Sequence, residues 1–353
     1  MKQLNLIKDS KADASGSFLF PGRTIKGEGA VNEAGAFLDD RAAVLADPYV
    51  MKNFIPGIKG ARAPLQVTFK GECSPGEFFR VKNIILENRI KTLAAAGGGK
   101  TMDLSKYLKR EIKGLRLIAI PTSAATCAAY TPVTVLYDET GVYMDTLDTV
   151  CPDIIVIDYD IFYGLPMPFF AAGAADTLAK YYEAAVYKKF HKNTSSYDNF
   201  VFAVAEEVYK RLKQMIRKKW KNPGKEEKRA LTDINIIYSG MISCVGKYTV
   251  MSSLAHALAH ALTAVPGARE FLHGEHVGVS LLAQEELLKN KRHLSEISDL
   301  LGIMDMPDGL PGLGITKAGV EKVYGLYCRI KTREKIYLPV KDDLLYNILS
   351  RNV

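Results

Sequence analysis

The sequence of 353 residues predicts an α/β domain with a parallel sheet over residues 1–164 and an all-α domain over residues 165–353. Two observations support this fold class. In the first half, short and nearly continuous apolar runs alternate with helical segments, which is typical of buried parallel strands. After "YGLPMPFF", which contains Pro166 and Pro168, the sequence favours helix from Ala171 onward. The prolines therefore mark the predicted domain boundary.

The predicted strands follow one another along the first half. In order, they are "AAVLAD", "LQVTF", the start of "TLAAAGGGK", "LRLIAIPTS" and "DIIVID". Between the last two, "VTVLYDETGVY" predicts a β-hairpin, because Glu139, Thr140 and Gly141 form a turn between two strand-like runs.

Composition narrows the class of protein. Hydrophobic residues make up 48% of the chain and charged residues 24%, as in ordinary globular proteins. No run reaches the roughly 18 apolar residues of a membrane span, and "MKQLNLIKDSK" at the start lacks the apolar segment of a signal peptide. The five cysteines are odd in number and lack metal or redox-motif spacing. We therefore expect a cytoplasmic protein without a membrane partner.

The net charge of +8 comes largely from one basic run, from Tyr209 to Arg229. A solvated helix end followed by a turn at Pro223 and Gly224 explains this run. The alternative is a nucleic-acid patch. Trp220 offers little stacking capacity and no nucleic-acid motif stands nearby, so we expect no nucleic-acid partner.

A glycine run follows the third predicted strand. The stretch "AAAGGGKTMDLSKYL", from Ala94 to Leu108, ends an apolar strand with three glycines and opens a helical pattern at once. Such a turn lets backbone N–H groups approach a phosphate closely, and the helix N-terminus favours the anion. The stretch matches neither GxxxxGK[ST] nor GxGxxG, so the alternative is a tight turn without a ligand.

Asp47 stands at the end of the "AAVLAD" strand. An acidic residue at this position can accept hydrogen bonds from both hydroxyls of an adenosine ribose, and it repels a 2′-phosphate. The alternative is a strand-end aspartate that starts a turn with Pro48. The residues alone leave both interpretations open.

Four of the six histidines lie in "LAHALAHALTAVPGAREFLHGEH". His256 and His260 are four residues apart and share a helix face, while His273 and His276 follow later in the stretch. Asp176 in "AAGAADTLAKYYEA" is the best acidic partner, and we expect it to begin a helix. Three nitrogen and oxygen ligands with an open fourth position describe a catalytic Zn²⁺ site.

Four motifs stand in order over nearly the whole chain: "GGGK", "PTSAATCAAYTP", "AGAADTLAKYYEA", and "LAHALAHAL" followed by "FLHGEH". Together they resemble the iron-containing alcohol dehydrogenase superfamily, in its glycerol dehydrogenase-like branch. With "DTLAKYYEA" and the late "YLPV", the chain is most similar to a hydroxycarboxylate (2-oxo acid) dehydrogenase of that branch. The resemblance implies a dehydroquinate synthase-like architecture, with an α/β nucleotide-binding domain and a helical metal-binding domain.

The resemblance also implies residue roles. A metal is held by Asp176, His256 and His273, and His260 lies near the nicotinamide. The implied cofactor is NAD, with NADP possible because the most similar subgroup includes NADP(H) users. The implied cofactor contacts are Asp47 at the ribose, Gly97, Gly98 and Gly99 at the pyrophosphate, and Lys100, Asp103, Thr122, Ala125, Thr126, Thr131, Val133, Val135 and Tyr137 around them.

Two positions depart from the family pattern. Glycerol dehydrogenases carry an aspartate that helps to hold the polyol at the position of Cys127, and a thiol is a poor replacement for a carboxylate acceptor. Iron enzymes carry a histidine at the position of Lys180, four residues after the metal-binding aspartate. An ammonium group cannot bind a cation, so three protein ligands remain, which favours Zn²⁺ over Fe²⁺.

Lys180 lies one helical turn after Asp176, on the same helix face. Beside a metal, its ammonium group can bind the carboxylate of a 2-oxo or 2-hydroxy acid. The replacement of a carboxylate by the thiol of Cys127 favours the same substrates, because it removes a negative charge. The alternative is that Lys180 turns away and pairs with Glu183 on the next turn.

The expected function is a metal-dependent, NAD(P)-linked dehydrogenase that interconverts a small 2-hydroxy acid or polyol and its oxo form. Its candidate catalytic residues are His260, Cys127 and Lys180. The alternatives are glycerol dehydrogenase proper, a dehydroquinate synthase-like lyase, which needs a denser set of basic residues, and a non-enzymatic binding protein, which does not need a complete Asp-His-His set. The resemblance implies a homo-oligomer, at least a dimer.

Overall fold

The computed structural model describes residues 18–55, 58, 64–191, 194–246, 253–334, 336 and 342–353. The segment "MKQLNLIKDSK", on which the absence of a signal peptide was predicted, and the "YLPV" motif lie outside the described residues. An α/β part comes first and a mostly helical part follows it, as the sequence predicts. Within the described ranges, no helix is both long enough and apolar enough to cross a membrane.

The described residues contain a six-stranded parallel sheet and a two-stranded antiparallel one. The strands are β1 Arg23–Gly27, β2 Ala42–Ala46, β3 Leu65–Thr68, β4 Thr92–Gly97, β5 Arg116–Pro121, β6 Val133–Tyr137, β7 Tyr143–Asp148 and β8 Ile154–Asp158. β6 and β7 form the predicted hairpin. The other six strands lie in the order β1-β8-β5-β4-β2-β3.

β1 is a strand that the sequence analysis did not predict. Its sequence, "RTIKG", has one buried residue, Ile25. β1 stands at one end of the strand order, beside β8. A strand at the edge of a sheet does not need to be apolar on both faces, so it lacks the continuous apolar run by which the central strands were recognised.

Successive residues of the central strands point to opposite faces of the sheet and join different cores. Leu45 and Leu93 belong to a large core that continues into the helical part. Their neighbours Val44 and Ala94 belong to a second core on the other face. Because both faces are covered, β2 and β8 are buried along their whole length, which explains their apolar sequences.

The sheet has a switch point between β2 and β4. These strands are neighbours, yet the chain continues from β2 to β3 at one side and from β4 to β5 at the other. Such an arrangement opens a crevice beyond the carboxyl ends of the strands. Asp47 follows β2, Gly98 follows β4 and Thr122 follows β5, so these three residues meet at that crevice.

Helices cover the sheet and form the second part. The helices of the first part are α1 Val31–Ala34, α2 Pro48–Asn53, α3 Pro75–Glu87, α4 Gly99–Glu111 and α5 Tyr159–Tyr163. Those of the second part are α6 Met167–Phe190, α7 Ser196–Lys219, α8 Lys225–Thr232, α9 Ser239–Val245, α10 Leu254–Leu262, α11 His273–Leu287, α12 Lys291–Ile303, α13 Lys317–Glu334 and α14 Asp342–Arg351. Among the described residues, no strand follows β8. A domain boundary at residue 165 stays a prediction.

The basic run forms a helix end and a turn, as predicted. α7 ends at Lys219, and α8 begins after Gly224. Several of its cations pair with acidic side chains: Arg217 lies 3.0 Å from Asp299, and Lys213 pairs with Glu296.

The hairpin of β6 and β7 connects the two parts. The backbone N–H of Tyr143 donates to Oγ1 of Thr263 at 2.9 Å, and Arg269 donates to the carbonyl oxygen of Thr140 at 2.7 Å. The hydroxyl of Tyr143 donates to Glu334 at 2.5 Å. The hairpin therefore forms one side of the space between the sheet edge and the helical part.

Candidate active site

A cavity of about 1010 Å³ lies between the carboxyl edge of the sheet and the helical part. Its size is at the upper end of the range for small-molecule and cofactor sites. Of the candidate site residues from the sequence, all but Gly97 line it: Asp47, Gly98, Gly99, Lys100, Asp103, Thr122, Ala125, Thr126, Cys127, Thr131, Val133, Val135, Tyr137, Asp176, Lys180, His256, His260 and His273.

α6 carries the acidic residue of the site. Asp176 lies well inside this helix, so the expectation that it begins a helix was wrong. The small-residue run from Ala171 to Ala175 is itself helical, since alanine is the best helix former, and the helix starts after Pro166. Asp176 and Lys180 are one turn apart on α6 and both face the cavity.

Three side chains from three helices form a group with metal-ligand chemistry. Asp176 on α6, His256 on α10 and His273 at the start of α11 each offer a donor atom, and these atoms lie within 4.8 Å of one another. Oδ1 of Asp176 lies 3.1 Å from Nε2 of His256 and 4.0 Å from Nε2 of His273. The structure thus brings together the three residues that the resemblance implies.

Glu183 completes the surroundings of His256, and the sequence analysis missed this role. Nδ1 of His256 donates to Oε2 of Glu183 at 2.6 Å. Oε1 of Glu183 accepts from the backbone N–H groups of Ser253 and His256. A carboxylate on the second ring nitrogen is the usual orienting partner of a metal-bound histidine. The available signal was the spacing: Glu183 follows Asp176 by two helical turns on the same face.

Burial and neighbouring charges shift the pKa values in this group. Burial alone would raise the pKa of Asp176, but Lys180 and the histidines lower it below its usual value. Burial opposes the charge on His256, yet Glu183 and Asp176 raise the pKa of its imidazole to about 9. Burial lowers the pKa of His273 to about 4, although Asp176 counters part of that shift.

Lys180 and Cys127 lie on the other side of Asp176. Nζ of Lys180 is 3.9 Å from Oδ2 of Asp176, and the thiol of Cys127 is 3.9 Å from the same oxygen. Lys180 faces the cavity and does not turn away to pair with Glu183, whose oxygens are bound by His256 and Ser253. Burial raises the pKa of the Cys127 thiol, which favours its protonated form.

His260 and His276 have different surroundings. The ring of His260 stacks on Tyr143, with centroids 4.3 Å apart, and also on His273, at 5.4 Å. Burial, followed by the repulsion from His273 and His256, lowers the pKa of His260 well below its usual value, so its imidazole is neutral. His276 lies outside the cavity lining, where its Nε2 donates to the carbonyl oxygen of Ala268 at 2.7 Å.

The glycine run forms the predicted turn between β4 and α4. Gly98 is the N-cap residue of α4 and has no side chain that could cover the helix N-terminus. The N-terminus of α4 therefore faces the cavity. A Cβ atom on Gly99 would lie 2.8 Å from Thr126. Gly97 lies outside the lining, and a Cβ atom there would lie 2.6 Å from Oγ1 of Thr101. The lack of a side chain at Gly97 and Gly99 therefore lets the turn pack closely against Thr101 and Thr126.

Asp47 starts the turn with Pro48, as one of the two interpretations predicts, and its contact with a ribose stays a prediction. Its Oδ1 accepts a hydrogen bond from the backbone N–H of Val50 at 3.0 Å, so Asp47 caps α2 beside Pro48. The same residue lines the cavity. Its capping role does not exclude a contact with a ligand, because a carboxylate has several acceptor positions.

The charged residues of α4 are held by protein partners. Asp103 is 2.9 Å from Nζ of the buried Lys106 and accepts from the backbone N–H of Val135 at 3.2 Å. Lys100 pairs with Glu72 at 2.5 Å and lies over the ring of Tyr137. These contacts connect α4 with β6 at the wall of the cavity.

A glycine turn at the carboxyl edge of a parallel sheet faces a helical part with a partly buried Asp-His-His set. This fold and site define a two-part protein with a nucleotide-binding type of α/β fold and a metal-ligand module across one cleft. Residues 21–159 match the family model described as "Iron-containing alcohol dehydrogenase", so this part of the chain is similar to that superfamily.

Known relatives agree with this assignment. The chain is 28% identical to a glycerol dehydrogenase of Thermotoga maritima over 317 residues, which cover 84% of each chain. It is 28% identical to hydroxycarboxylate dehydrogenase A of Escherichia coli, over 80% of this chain and 79% of that one. The structure of a probable glycerol dehydrogenase from Sinorhizobium meliloti has a TM-score of 0.83 at 23% identity, over 96% of this chain and 99% of that one. The predicted resemblance to this superfamily and the predicted fold class are confirmed.

Proposed function

We propose that the chain is a metal-dependent, NAD(P)-linked dehydrogenase that interconverts the CH–OH group of a small hydroxy compound and its oxo form. The match to the family model and the similarity to two dehydrogenases support an oxidoreductase that acts on CH–OH groups. One observation carries the proposal: the Asp176, His256 and His273 set lines the same cavity as the turn of Gly98 and Gly99. A metal site and a cofactor site would therefore meet there.

We propose Zn²⁺ as the metal. The donor set fits, because two imidazole nitrogens and one carboxylate oxygen are a usual set for a catalytic zinc ion with an open position. Glu183 supports this fit, because its contact with Nδ1 of His256 directs Nε2 of the same ring toward Asp176. Lys180 is the fourth side chain beside this donor set, with Nζ 3.9 Å from Oδ2 of Asp176, and its ammonium group is not a metal ligand. When bound, the metal supplies Lewis acidity at the substrate oxygen.

The chain's own residues bind and orient the reactants. We assign the pyrophosphate to the N-terminus of α4 at Gly98 and Gly99, and the adenosine ribose to Asp47. The reaction converts CH–OH and NAD(P)⁺ to C=O, NAD(P)H and one proton, and the cofactor supplies the hydride chemistry. We assign His260, as a neutral imidazole, to the nicotinamide side of the reacting atoms.

The dehydrogenase is favoured over the dehydroquinate synthase-like alternative. Both relatives reported above are named as dehydrogenases. The polyol and the hydroxy acid remain as substrate classes, since one relative is a glycerol dehydrogenase and the other a hydroxycarboxylate dehydrogenase.

The proposed function is tested by following NADH and NADPH oxidation with zinc-loaded protein and two carbonyl compounds, pyruvate and hydroxyacetone. We expect at least one compound to be reduced, and the Asp176→Asn variant to lose this activity while it stays folded. Asp308→Asn, at an exposed position, is the matched control. Reduction of neither compound, or full activity of Asp176→Asn, would overturn the proposal.

We also propose that the protein is a cytoplasmic homo-oligomer. All five cysteines are unpaired, which supports a reducing compartment. The consecutive apolar side chains of Phe18, Leu19 and Phe20 are exposed, which supports a subunit contact. Light scattering tests the oligomer: a mass above that of one chain is expected, and a single-chain mass at working concentration would contradict it.

A further inference from the structure

We propose that Lys180 binds the carboxylate of the substrate, and that the chain therefore acts on 2-oxo and 2-hydroxy acids in preference to neutral polyols. The inference rests on the proposed function and adds the substrate class to it. It follows from the position of one buried ammonium group relative to the Asp-His-His set.

The two carboxylate oxygens of Asp176 face different groups. Oδ1 lies 3.1 Å from Nε2 of His256 and 4.0 Å from Nε2 of His273. Oδ2 lies 3.9 Å from Nζ of Lys180 and 3.9 Å from Sγ of Cys127. The donor atoms for a metal are therefore on one side of Asp176, and an ammonium group and a thiol are on the other. Because all these residues line the cavity, a small ligand beside Asp176 can contact both sides.

Lys180 has donor capacity for such a ligand. Lys180 is 5% exposed, so the charge of its ammonium group is largely removed from water. A buried charge is costly unless it is paired and hydrogen-bonded. The 3.9 Å separation from Asp176 is longer than an N–H···O hydrogen bond, whereas an ammonium group offers three donors. An anion that enters the cavity can accept from them at shorter distance.

The charges around Asp176 are unbalanced once a divalent metal is bound. Asp176 and Glu183 supply two negative charges, which offset those of the metal. Lys180 is then one positive charge in excess of these two carboxylates, and the oxygens of Glu183 also accept hydrogen bonds from His256 and Ser253. A carboxylate substrate neutralises this charge, and a polyol does not. Cys127 adds no negative charge that would repel the acid.

The position of Lys180 also selects where the carboxylate stands in the substrate. In a 2-oxo acid the carboxylate carbon is bonded directly to the carbon that is reduced. Nζ of Lys180 lies 3.9 Å from Asp176, which is itself a member of the metal-ligand set, so a charge next to the reacting carbon can reach Lys180. In the reaction, a 2-oxo acid, NAD(P)H and one proton give the 2-hydroxy acid and NAD(P)⁺, and Lys180 keeps its proton throughout.

A kinetic experiment separates this role from a general role in the site. Zinc-loaded wild type and Lys180→Met are assayed with pyruvate and with its neutral analogue hydroxyacetone. We expect wild type to prefer pyruvate, and the pyruvate-to-hydroxyacetone ratio of kcat/KM to fall about 10- to 100-fold in Lys180→Met, as for loss of a hydrogen bond to a charged group. Lys180→Arg, which keeps the charge, should retain more of the preference. Lys189→Met, at an exposed position of the same helix, is the matched control.

A binding experiment supplies a readout that does not depend on turnover. Calorimetry compares oxamate, an anionic analogue of pyruvate, with oxamide, its neutral counterpart, on the zinc-loaded proteins with NADH. We expect wild type to bind oxamate more tightly than oxamide, and Lys180→Met to lose about 10- to 100-fold of that difference. Zinc content and NADH affinity, measured on each variant, show whether the site is intact.

Each outcome decides between the two proposals. If the wild type reduces neither compound, the proposed function itself fails. If it reduces hydroxyacetone far better than pyruvate and binds oxamate no more tightly than oxamide, the dehydrogenase stands and the role of Lys180 is overturned. If Lys180→Met weakens both substrates equally, or loses its zinc, then Lys180 only balances the charge of Asp176, and the inference is also overturned.

Discussion

Oε2 of Glu183 lies 2.6 Å from Nδ1 of His256, and Oε1 of the same carboxylate accepts from the backbone N–H of His256. One buried side chain of α6 thus fixes both the ring orientation of His256 and the first turn of α10. The imidazole keeps Nε2 directed at Asp176, 3.1 Å away.

The Glu183→Gln variant tests this relationship. The amide keeps the size and one acceptor but loses the charge, so the proposed metal ligand is less well oriented and less basic. We expect zinc affinity to fall about 10- to 100-fold, as measured by competition with a chromophoric chelator. Glu87→Gln, at an exposed position, should bind zinc as the wild type does. Equal affinities of wild type and Glu183→Gln would show that the contact does not support the metal site.

Gly274 allows the helices that carry Asp176 and His273 to approach closely. A Cβ atom at Gly274 would lie 1.8 Å from the carbonyl oxygen of Ala172 in α6. We expect Gly274→Ala to force the helices apart, to lower the free energy of unfolding by about 1–3 kcal/mol, and to weaken zinc binding.

The matched control is Gly302→Ala on α12, where a Cβ atom would meet nothing within 4 Å. Alanine should stabilise that exposed helix position by about 0.5–1 kcal/mol. Urea unfolding of both variants measures the effects. If Gly274→Ala unfolds at the same urea concentration as the wild type, then the close approach of α11 to α6 is not required.

Asp47 has two roles that a well-chosen substitution can separate. Asp47→Asn keeps a side-chain acceptor for the N–H of Val50 and removes the charge that repels a 2′-phosphate. We expect the NADPH-to-NADH ratio of kcat/KM to rise about tenfold, as for the loss of roughly 1.4 kcal/mol of repulsion. Asp47→Ala should also lose about 1 kcal/mol of stability, because the helix cap is lost. If the wild type strongly prefers NADPH, Asp47 does not repel a 2′-phosphate and acts only as the N-cap of α2.

Metal affinity should depend on pH through His256. In the metal-free protein, Glu183 and Asp176 raise the pKa of this imidazole to about 9, so at lower pH a proton occupies the nitrogen that a metal needs. Binding must then release that proton. We expect the apparent zinc affinity to rise about tenfold per pH unit up to this pKa and to level off above it. An affinity that stays constant on the acid side of the pKa would contradict the assignment of His256.

The parallel sheet was predictable where burial dictates the composition. The strands β2, β4 and β8 are buried throughout, so apart from Thr92 at the start of β4 and Asp158 at the end of β8 they contain no polar side chain, and the sequence predicts them. β1 carries no such signal, because one side chain of five is buried. A single sequence does not distinguish a short edge strand of this kind from a loop.

The site was predictable in its donor residues but not in its arrangement. Histidines and an aspartate are recognisable by chemistry and motif, whereas the contacts between helices depend on packing. The sequence left open whether Lys180 pairs with Glu183, and in the structure His256 contacts Glu183 while Lys180 lies 3.9 Å from Asp176. The same contact gives Glu183 a role that spacing along α6 could suggest but not establish.

The central claim is that Asp176, His256 and His273 hold a metal on which the dehydrogenase activity depends. The direct measurement is the rate of NADH oxidation with pyruvate and hydroxyacetone by the purified protein, before chelation, after chelation and after zinc is restored, with metal content measured at each stage. We predict about one zinc ion per chain, loss of activity with the metal, recovery on reloading, and no recovery in His256→Ala or His273→Ala. Full activity in metal-free protein would contradict the claim.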